Sequence, residues 1–452
     1  MFFIYISLLY KLRTMQRFII LILFLTSVIT SFSQSEKIKV YFNHPVNNSA
    51  SSLADAIYVS HFEDTVVAYI NRIQSTLDIA IYSTESLPIV NAINAAAARG
   101  VVVRFIAAAN TGTNNSELGS VSSSIPLIQR PDDGEVMHNK FLIMDIADPL
   151  RATVMTGSTN HSDNSLHNDW NNMVIIQDQS LAFAYRTEFE EMWGSTGAQP
   201  NAANSKFGAA KTDNTPHNFT IDGIPVELYF SPSDGTTSHI VSAINSANTD
   251  IQFAMLTFIN NDLGDAVKAR HQAGIDVKGI IENIYYLGSE YNGLVNAGVN
   301  VLSHFTTLYF MHHKYGIVDA NNPSSDPLVI TGSHNWTNSA ETDYDENTLI
   351  IHSAEIAGMY FEEFSQTFGD MTSSENIEAE KADLNIYYDN ETRKIIINGT
   401  VSGNIELYDI SGRKVKISND REIDMSAMPD GLYMLSISGA GGQSVACRLP
   451  VY

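Results

Sequence analysis

Two stretches of this chain carry residues suited to chemistry at phosphorus, and the second repeats the first. His138-Asn139-Lys140-Phe141-Leu142-Ile143-Met144-Asp145 and His312-His313-Lys314-Tyr315-Gly316-Ile317-Val318-Asp319 both read His-x-Lys-x4-Asp. Each is trailed by Gly-Ser-x-Asn, at Gly157-Ser158-Thr159-Asn160 and Gly332-Ser333-His334-Asn335. One such motif recurs by chance; two, each with the same tetrapeptide at nearly the same distance, point to one site built from two segments. Histidine is the side chain best able to attack or to donate a proton near neutral pH, so one from each half can divide those roles. Lys140 and Lys314 are point charges suited to phosphate oxygens. Asn160 and Asn335 add neutral donors, which with the lysines form a cradle for a pentacoordinate phosphorus. The apolar residues after each lysine predict buried strands, with His138 and Lys140 on one face and His312 and Lys314 likewise. Asp145 and Asp319 then face the other side and are expected to be structural. Ser158 and Ser333 are expected to hydrogen-bond either backbone or phosphate. His161, His167 and His334 flank the motifs without metal-ligand spacing, and neither a metal nor another cofactor is expected.

The elements that must position these residues also come twice. Lys37 to Phe42 alternates like a strand, Ser51 to Ser75 has helical spacing, Leu77 to Tyr82 is a short buried strand, Pro88 to Arg99 a helix and Val101 to Ala107 a strand. The order returns with Asp78 answered by Asp250, Gly100 by Gly274, His138 by His312 and Asn160 by Asn335, at offsets of 172, 174, 174 and 175 residues. After each Gly-Ser-x-Asn come a strand and a helix, the helices carrying Tyr185, Phe189 and Trp193, then Tyr360, Phe364 and Phe368. Alternating strands and helices predict an α/β fold, a tandem duplication of a mixed, mostly parallel sheet between helices. The halves are expected at 34–195 and 223–372, with an Ala-, Asn-, Thr- and Gly-rich linker over 196–222. Asp148-Pro149 and Pro323 to Pro327 predict longer hairpins after the two motifs. From about 380 to 452, short alternating strands broken by Ser411-Gly412 and Asp430-Gly431 predict a small all-β sandwich.

The 452 residues carry a formal charge of −24, which argues against general attraction to nucleic acid or anionic membrane. Cys447 is the single cysteine, so thiol chemistry is excluded from the motif region. Lys11, Arg13 and Arg17, an apolar run from Phe18 to Ile29 and Ser31-Phe32-Ser33 read as a secretory signal peptide over 1–33. Its removal takes three positive charges, from −24 to about −27. No later stretch is long and apolar enough to span a bilayer.

The paired motifs resemble those of the phospholipase D superfamily over about residues 36 to 370. The resemblance implies metal-independent cleavage of a phosphodiester in two displacements, one histidine forming a phosphohistidine while the other protonates the leaving alcohol and then activates water. Downstream, Asp169-Trp170-Asn171-Asn172 aligns with Tyr344-Asp345-Glu346-Asn347. In the family, an acidic group of one half tends to orient the histidine of the other. The resemblance therefore implies that Glu346 serves His138, the nucleophile, and that Asn171 leaves His312 as general acid and base. The stretch from Ile405 to Tyr433 resembles the C-terminal sorting domain of type IX secretion substrates, although its usual opening Pro-Asn-Pro appears here as Asp389-Asn390-Glu391. It implies the type IX machinery as partner and a secreted or surface-attached protein. Both motifs lie on one chain, so a catalytic monomer is expected. The substrate stays open among a phospholipid, which suits an acidic exported protein, nucleic acid, which calls for a basic footprint, and a non-catalytic binding role, against which intact motifs in both halves speak.

Overall fold

The computed structural model describes residues 35–109, 114–304 and 309–375, and, further on, 385–389, 392–398, 405–409, 414–418, 420–429, 431–438 and 444–451. The signal-peptide segment, Asn390-Glu391, Ser411-Gly412 and Asp430 lie outside the described residues. The first half threads β1 (Ile38–Phe42), β2 (Ile57–Tyr58), β3 (Thr76–Ile81), β4 (Val102–Ala107), β5 (Leu127–Gln129), β6 (Lys140–Met144), β7 (Thr153–Gly157) and β8 (Asn172–Gln177) into an eight-stranded sheet of order β2-β1-β8-β7-β6-β3-β4-β5. The second half uses β9 (Asn218–Ile221), β10 (Ile224–Ser231), β11 (Asp250–Met255), β12 (Asp276–Ile281), β13 (Asn300–Ser303), β14 (Lys314–Val318), β15 (Leu328–Gly332) and β16 (Glu346–His352), in the order β9-β10-β16-β15-β14-β11-β12-β13. The topologies coincide over seven strands and differ at one edge, where β2 follows β1 and pairs with it parallel, whereas β9 precedes β10 and pairs with it antiparallel.

Both sheets are mixed, but the expectation that they are mostly parallel is corrected. Only β3–β4–β5 and β1–β2 are parallel in the first sheet, and β11–β12–β13 in the second. The motif strands β6 and β14 pair antiparallel on both sides. A parallel link needs a crossover of a dozen or more residues, usually helical. The motif strands are instead followed by hairpins over 145–152 and 319–327, the longer loops that the inserted prolines predict.

Asp145 and Asp319 open these hairpins at φ of 49° and 56°, in the left-handed region. The Asp145 carboxylate accepts the amides of Gln74 (3.0 Å) and Ser75 (2.6 Å) and the Ser75 hydroxyl (2.8 Å). Asp319 does the same for Asn248 (2.9 Å) and Thr249 (2.8 Å) with the Thr249 hydroxyl (2.9 Å). Each ties its hairpin to the loop that feeds β3 or β11, away from the histidines. Asp145→Ala is expected to cost about 1–3 kcal/mol in urea unfolding, because it removes the acceptor of the part-buried Gln74 and Ser75 amides and the Ser75 hydroxyl, while kcat per folded molecule stays near wild type.

Gly157 and Gly332 have φ of 137°, and a Cβ there would stand 2.4 Å from the Asn172 carbonyl oxygen and 2.2 Å from that of Asn347. This close approach is why the tetrapeptide after each motif begins with glycine.

The expected helix over Ser51 to Ser75 is shorter, spanning Phe62–Arg72. Upstream of it, Ile57 and Tyr58 pair with Tyr41 and Phe42, and the Ala56 amide is held by Glu362 at 2.6 Å. Tertiary pairing overrides a helical spacing that only Phe62, Val66 and Ile70 use for burial. The helices Gln179–Trp193 and Ala354–Glu375 carry the aromatic residues read from the duplication. The Tyr185 ring meets Phe141 and Phe230 at 5.1 and 5.2 Å, and Tyr360 meets Phe42 and Tyr315 at 5.0 Å each. Each helix thus packs on aromatic residues of both halves, and one apolar core runs through the pair.

The segment 196–222 is built into this core as well. Lys211 is buried, Phe207 packs on the core, and β9 already belongs to the second sheet, turning into β10 through Asp222 and Gly223. Beyond the helices, β17 (Asn385–Asp389), β18 (Lys394–Asn398), β19 (Ile405–Asp409), β20 (Lys414–Ser418), β21 (Glu422–Asp424), β22 (Gly431–Ser438) and β23 (Ser444–Val451) form sheets β17-β18-β21 and β20-β19-β22-β23. Ile386, Ile395, Leu407 and Leu435 close one core between them, the expected β-sandwich.

Candidate active site

Backbone pairing between the halves brings the two motifs together. The His138 amide donates to the Asp345 carbonyl (3.0 Å) and the Asp345 amide to Val136 (3.0 Å); the His312 amide donates to Trp170 (2.8 Å) and the Trp170 amide to Phe310 (2.8 Å). Each histidine therefore stands just ahead of its motif strand, which begins at the lysine, and is clamped by a segment of the other half. Asn347 and Asn172 lock the arrangement. Asn347 donates to Asn139 (2.9 Å) and accepts from Thr156 (2.8 Å) and Tyr185 (3.1 Å); Asn172 accepts from Thr331 (3.1 Å) and Tyr360 (3.3 Å). All these bonds join one half to the other.

The side-chain partners also cross over, and here the halves differ. His138 Nδ1 lies 2.8 Å from Glu346 Oε1, and His312 Nδ1 lies 2.8 Å from Asn171 Oδ1. The Asn171 amide nitrogen donates to Ser165 and Asp169 carbonyls at 3.0 Å, and its Oδ1 accepts the Ser158 hydroxyl at 2.8 Å. That oxygen is thus an acceptor, and His312 carries its ring proton on Nδ1. An ionised Glu346 sets the same tautomer on His138, leaving a lone pair on Nε2. Ser333 accepts the Asn347 amide at 3.0 Å, and Ser158 likewise accepts the Asn172 amide at 3.0 Å. Ser158, through its bond to Asn171, orients the partner of His312. Lys140 Nζ donates to the His138 carbonyl (2.8 Å) and Lys314 Nζ to the His312 carbonyl (2.9 Å), while Lys314 Nζ also sits 3.3 Å from His312 Nε2. Asn160 and Asn335 follow, each with a buried Oδ1 that has no partner among the described residues.

Burial sets the electrostatics. His138 and His312 are held well below the usual histidine range, first by burial and then by Lys140 and Lys314. Burial pushes the Lys140 ammonium down to about 7 and Lys314 well below its ordinary value. Glu346 is pushed up to about 7 by burial, against the pull of Lys140. Two lysines crowded with two neutral histidines make a site that gains an anion readily. A phosphodiester there would restore the lysine charge that burial opposes.

Several supporting residues escape sequence reading. Asp345 takes Arg130 (2.8 Å), Lys211 (3.2 Å) and the Gly208 amide (2.8 Å), and Lys211 also pairs with Glu188. This fully buried ionic group joins both halves and the segment between them, next to Glu346 in the chain. The one signal in the sequence is that Asp345 aligns with Trp170, a charge where the duplication has an aromatic. Lys211→Met is expected to cost about 3–5 kcal/mol in chemical denaturation, since it leaves buried carboxylates unpaired. His313, the neighbour of His312, pairs with the buried Glu363 at 3.1 Å. Trp336 packs on Phe253 and Phe258, and His304 is buried against Glu282, so both belong to the wall and core. His161 is buried behind the first motif, His167 sits near the surface beside Glu63 and Asp163, and His334 lies 3.8 Å from Glu341. Asp213, His217 and Asp234 have metal-ligating atoms close together. They are bonded to one another, to Leu228 and to Phe230, and they involve no motif residue.

Residues 66–193 and 240–368, together more than half of the chain, match the family described as cardiolipin synthase, PLD-like domain. The chain belongs to the phospholipase D-like family. Residues 381–448 match a secretion system C-terminal sorting domain, which marks this family member as secreted or attached to the cell surface. No helix among the described residues is long and apolar enough to cross a membrane. Relatives include the mitochondrial cardiolipin hydrolase of Mus musculus, 34% identical over 146 residues, covering 32% of this chain and 62% of the relative. The Homo sapiens protein of the same name is 32% identical over 147 residues, covering 32% and 55%. The chain thus spans less than two thirds of these relatives' length. Among solved structures, the phospholipase D family member Nuc from Salmonella typhimurium is 28% identical, with a TM-score of 0.28, covering 32% of this chain and 93% of that one. Phosphatidylserine synthase from Haemophilus influenzae, at 11% identity, covers 77% and 95% with a TM-score of 0.51, a likeness of fold.

Proposed function

We propose that this phospholipase D-like protein is an exported phosphodiesterase that hydrolyses glycerophospholipid headgroups through a covalent phosphohistidine. The observation that carries the reading is the crossed pair of histidine partners, Glu346 on His138 and Asn171 on His312, each at 2.8 Å. With Glu346 ionised, its carboxylate accepts the His138 Nδ1 proton and enriches Nε2, which attacks phosphorus. His312 takes up a second ring proton, on Nε2, when the anionic diester counters the burial and the charges of Lys314 and Lys140 that hold its pKa down. The P–N bond forms as the bond to the headgroup oxygen breaks, and His312 gives that oxygen this Nε2 proton. His312, now neutral, takes a proton from water, whose oxygen displaces His138 and releases the phosphate monoester. Lys140 and Lys314, with Asn160 and Asn335, stabilise the charge on the equatorial oxygens. No step calls for a metal. An acidic, exported chain supports a lipid over a nucleic acid, as do the relatives named for cardiolipin hydrolysis.

The test offers the purified protein phosphatidylcholine, phosphatidylethanolamine and plasmid DNA in EDTA. Choline or ethanolamine release is the expected result. DNA cleavage with no headgroup release replaces this reading with that of a metal-independent endonuclease.

A further inference from the structure

We propose that the loop between β12 and the helix Tyr291–Asn296 is a lipid-surface seat that sets the catalytic mouth on a zwitterionic phospholipid layer. The proposal rests on the lipid reading above. Leu287 is 99% exposed, with Tyr285 at 45% and Tyr286 at 38% beside it, and Tyr309, three residues ahead of His312, at 38%. Single exposed apolar residues are ordinary on a protein surface, whereas three consecutive ones at a loop tip are not.

The loop stands at the sheet end from which the second histidine emerges. The Glu282 amide bonds to Met255 (3.0 Å) and the Asn283 amide to Leu256 (2.9 Å), whose own amide bonds to His313 (2.9 Å). The Glu282 carboxylate accepts the Met311 amide (2.9 Å) and lies 2.6 Å from His304 Nδ1, so it pins the base of this loop to the segment that leads into His312.

Charge decides the occupant. Neither Asn283 to Ser289 nor Tyr309 to Met311 holds a charged residue, in a chain of net charge −24. Such a protein is repelled by an anionic surface. Tyrosine and leucine at an uncharged tip enter the interface of a neutral one. A nucleic-acid partner would require basic residues here. The fold does not demand this composition: at the offset of the two histidines, Tyr285, Tyr286 and Leu287 are answered by Thr111, Gly112 and Thr113.

The test compares the full-length secreted protein with a Tyr285→Ser/Tyr286→Ser/Leu287→Asp variant on phosphatidylcholine vesicles. The variant should lose about tenfold or more in vesicle sedimentation and in choline release from vesicles, the loss expected when an apolar tip becomes polar. Its cleavage of water-soluble bis(4-nitrophenyl) phosphate should match wild type, which also shows that it is folded. Equal vesicle binding by both proteins overturns the proposal, as does stronger wild-type binding to phosphatidylglycerol vesicles. A wild-type dimer that the variant disperses assigns the patch to a second copy of the chain and also overturns it. Failure of the lipid reading shows differently: wild type then releases no choline even from detergent-dispersed phosphatidylcholine.

Discussion

His138→Asn is expected to lower headgroup release by about 10⁴-fold or more, and to abolish the first turnover even on a diester with a good leaving group. The second histidine should behave otherwise. A 4-nitrophenyl leaving group needs no proton, so His312→Asn should still release close to one equivalent of nitrophenol in a burst. It should then stall, because no base remains to activate water against the phosphohistidine. Rapid-quench kinetics on bis(4-nitrophenyl) phosphate separate the two variants. A burst from His138→Asn and none from His312→Asn would reverse the assigned roles. The asymmetry follows from the crossed partners, since a carboxylate enriches Nε2 of one ring and a neutral amide only orients the other.

The second large effect concerns Glu346. Replacing it by Gln keeps a hydrogen-bond partner for His138 but removes the charge, and about 10²–10⁴-fold in kcat should be lost. The pH profile carries the sign. Burial raises Glu346 to about 7. Below that pH the carboxyl gains a proton and donates to Nδ1, which moves the ring proton onto Nε2 and removes the attacking lone pair. Activity is therefore present above about 7 and falls about tenfold per pH unit below it. Lys140, pushed down to about 7 by burial, loses its charge in the opposite direction, so kcat/KM should be bell-shaped around neutrality. In the substrate complex the anionic phosphate holds the proton on Lys140, and the basic limb of kcat should move to higher pH. Glu346→Gln should erase the acid limb and leave the basic one. Adding Asn171→Asp should restore part of the rate by giving His312 the carboxylate.

The duplication was legible because function and packing reuse residue types at constant offsets. His138, Lys140, His312 and Lys314 could be named from two motifs and the contrast of Glu346 with Asn171 from one alignment of the halves, while the crossed pairing with the histidines was implied by the family resemblance. The structural role of Asp145 and Asp319 followed from strand alternation alone. The strand directions were less legible, since alternating strands and helices do not reveal that β6 and β14 return through hairpins. The helix read over Ser51 to Ser75 failed at its first half because pairing of Ile57 and Tyr58 with β1 outweighs local spacing. The ionic group of Asp345, Arg130, Lys211 and Glu188 joins residues up to 215 positions apart, and nothing in local sequence announces such a meeting. Composition made 196–222 read as a linker for the same reason: the burial of Lys211 depends on carboxylates contributed by both halves.

The most direct test of a site with a built-in direction is to trap and map the phosphoenzyme. Wild type mixed with radiolabelled phosphatidylcholine, quenched in base within the first turnover and digested, should yield one acid-labile phosphopeptide, and its label should sit on His138. Label on His312, or on neither histidine, contradicts the account.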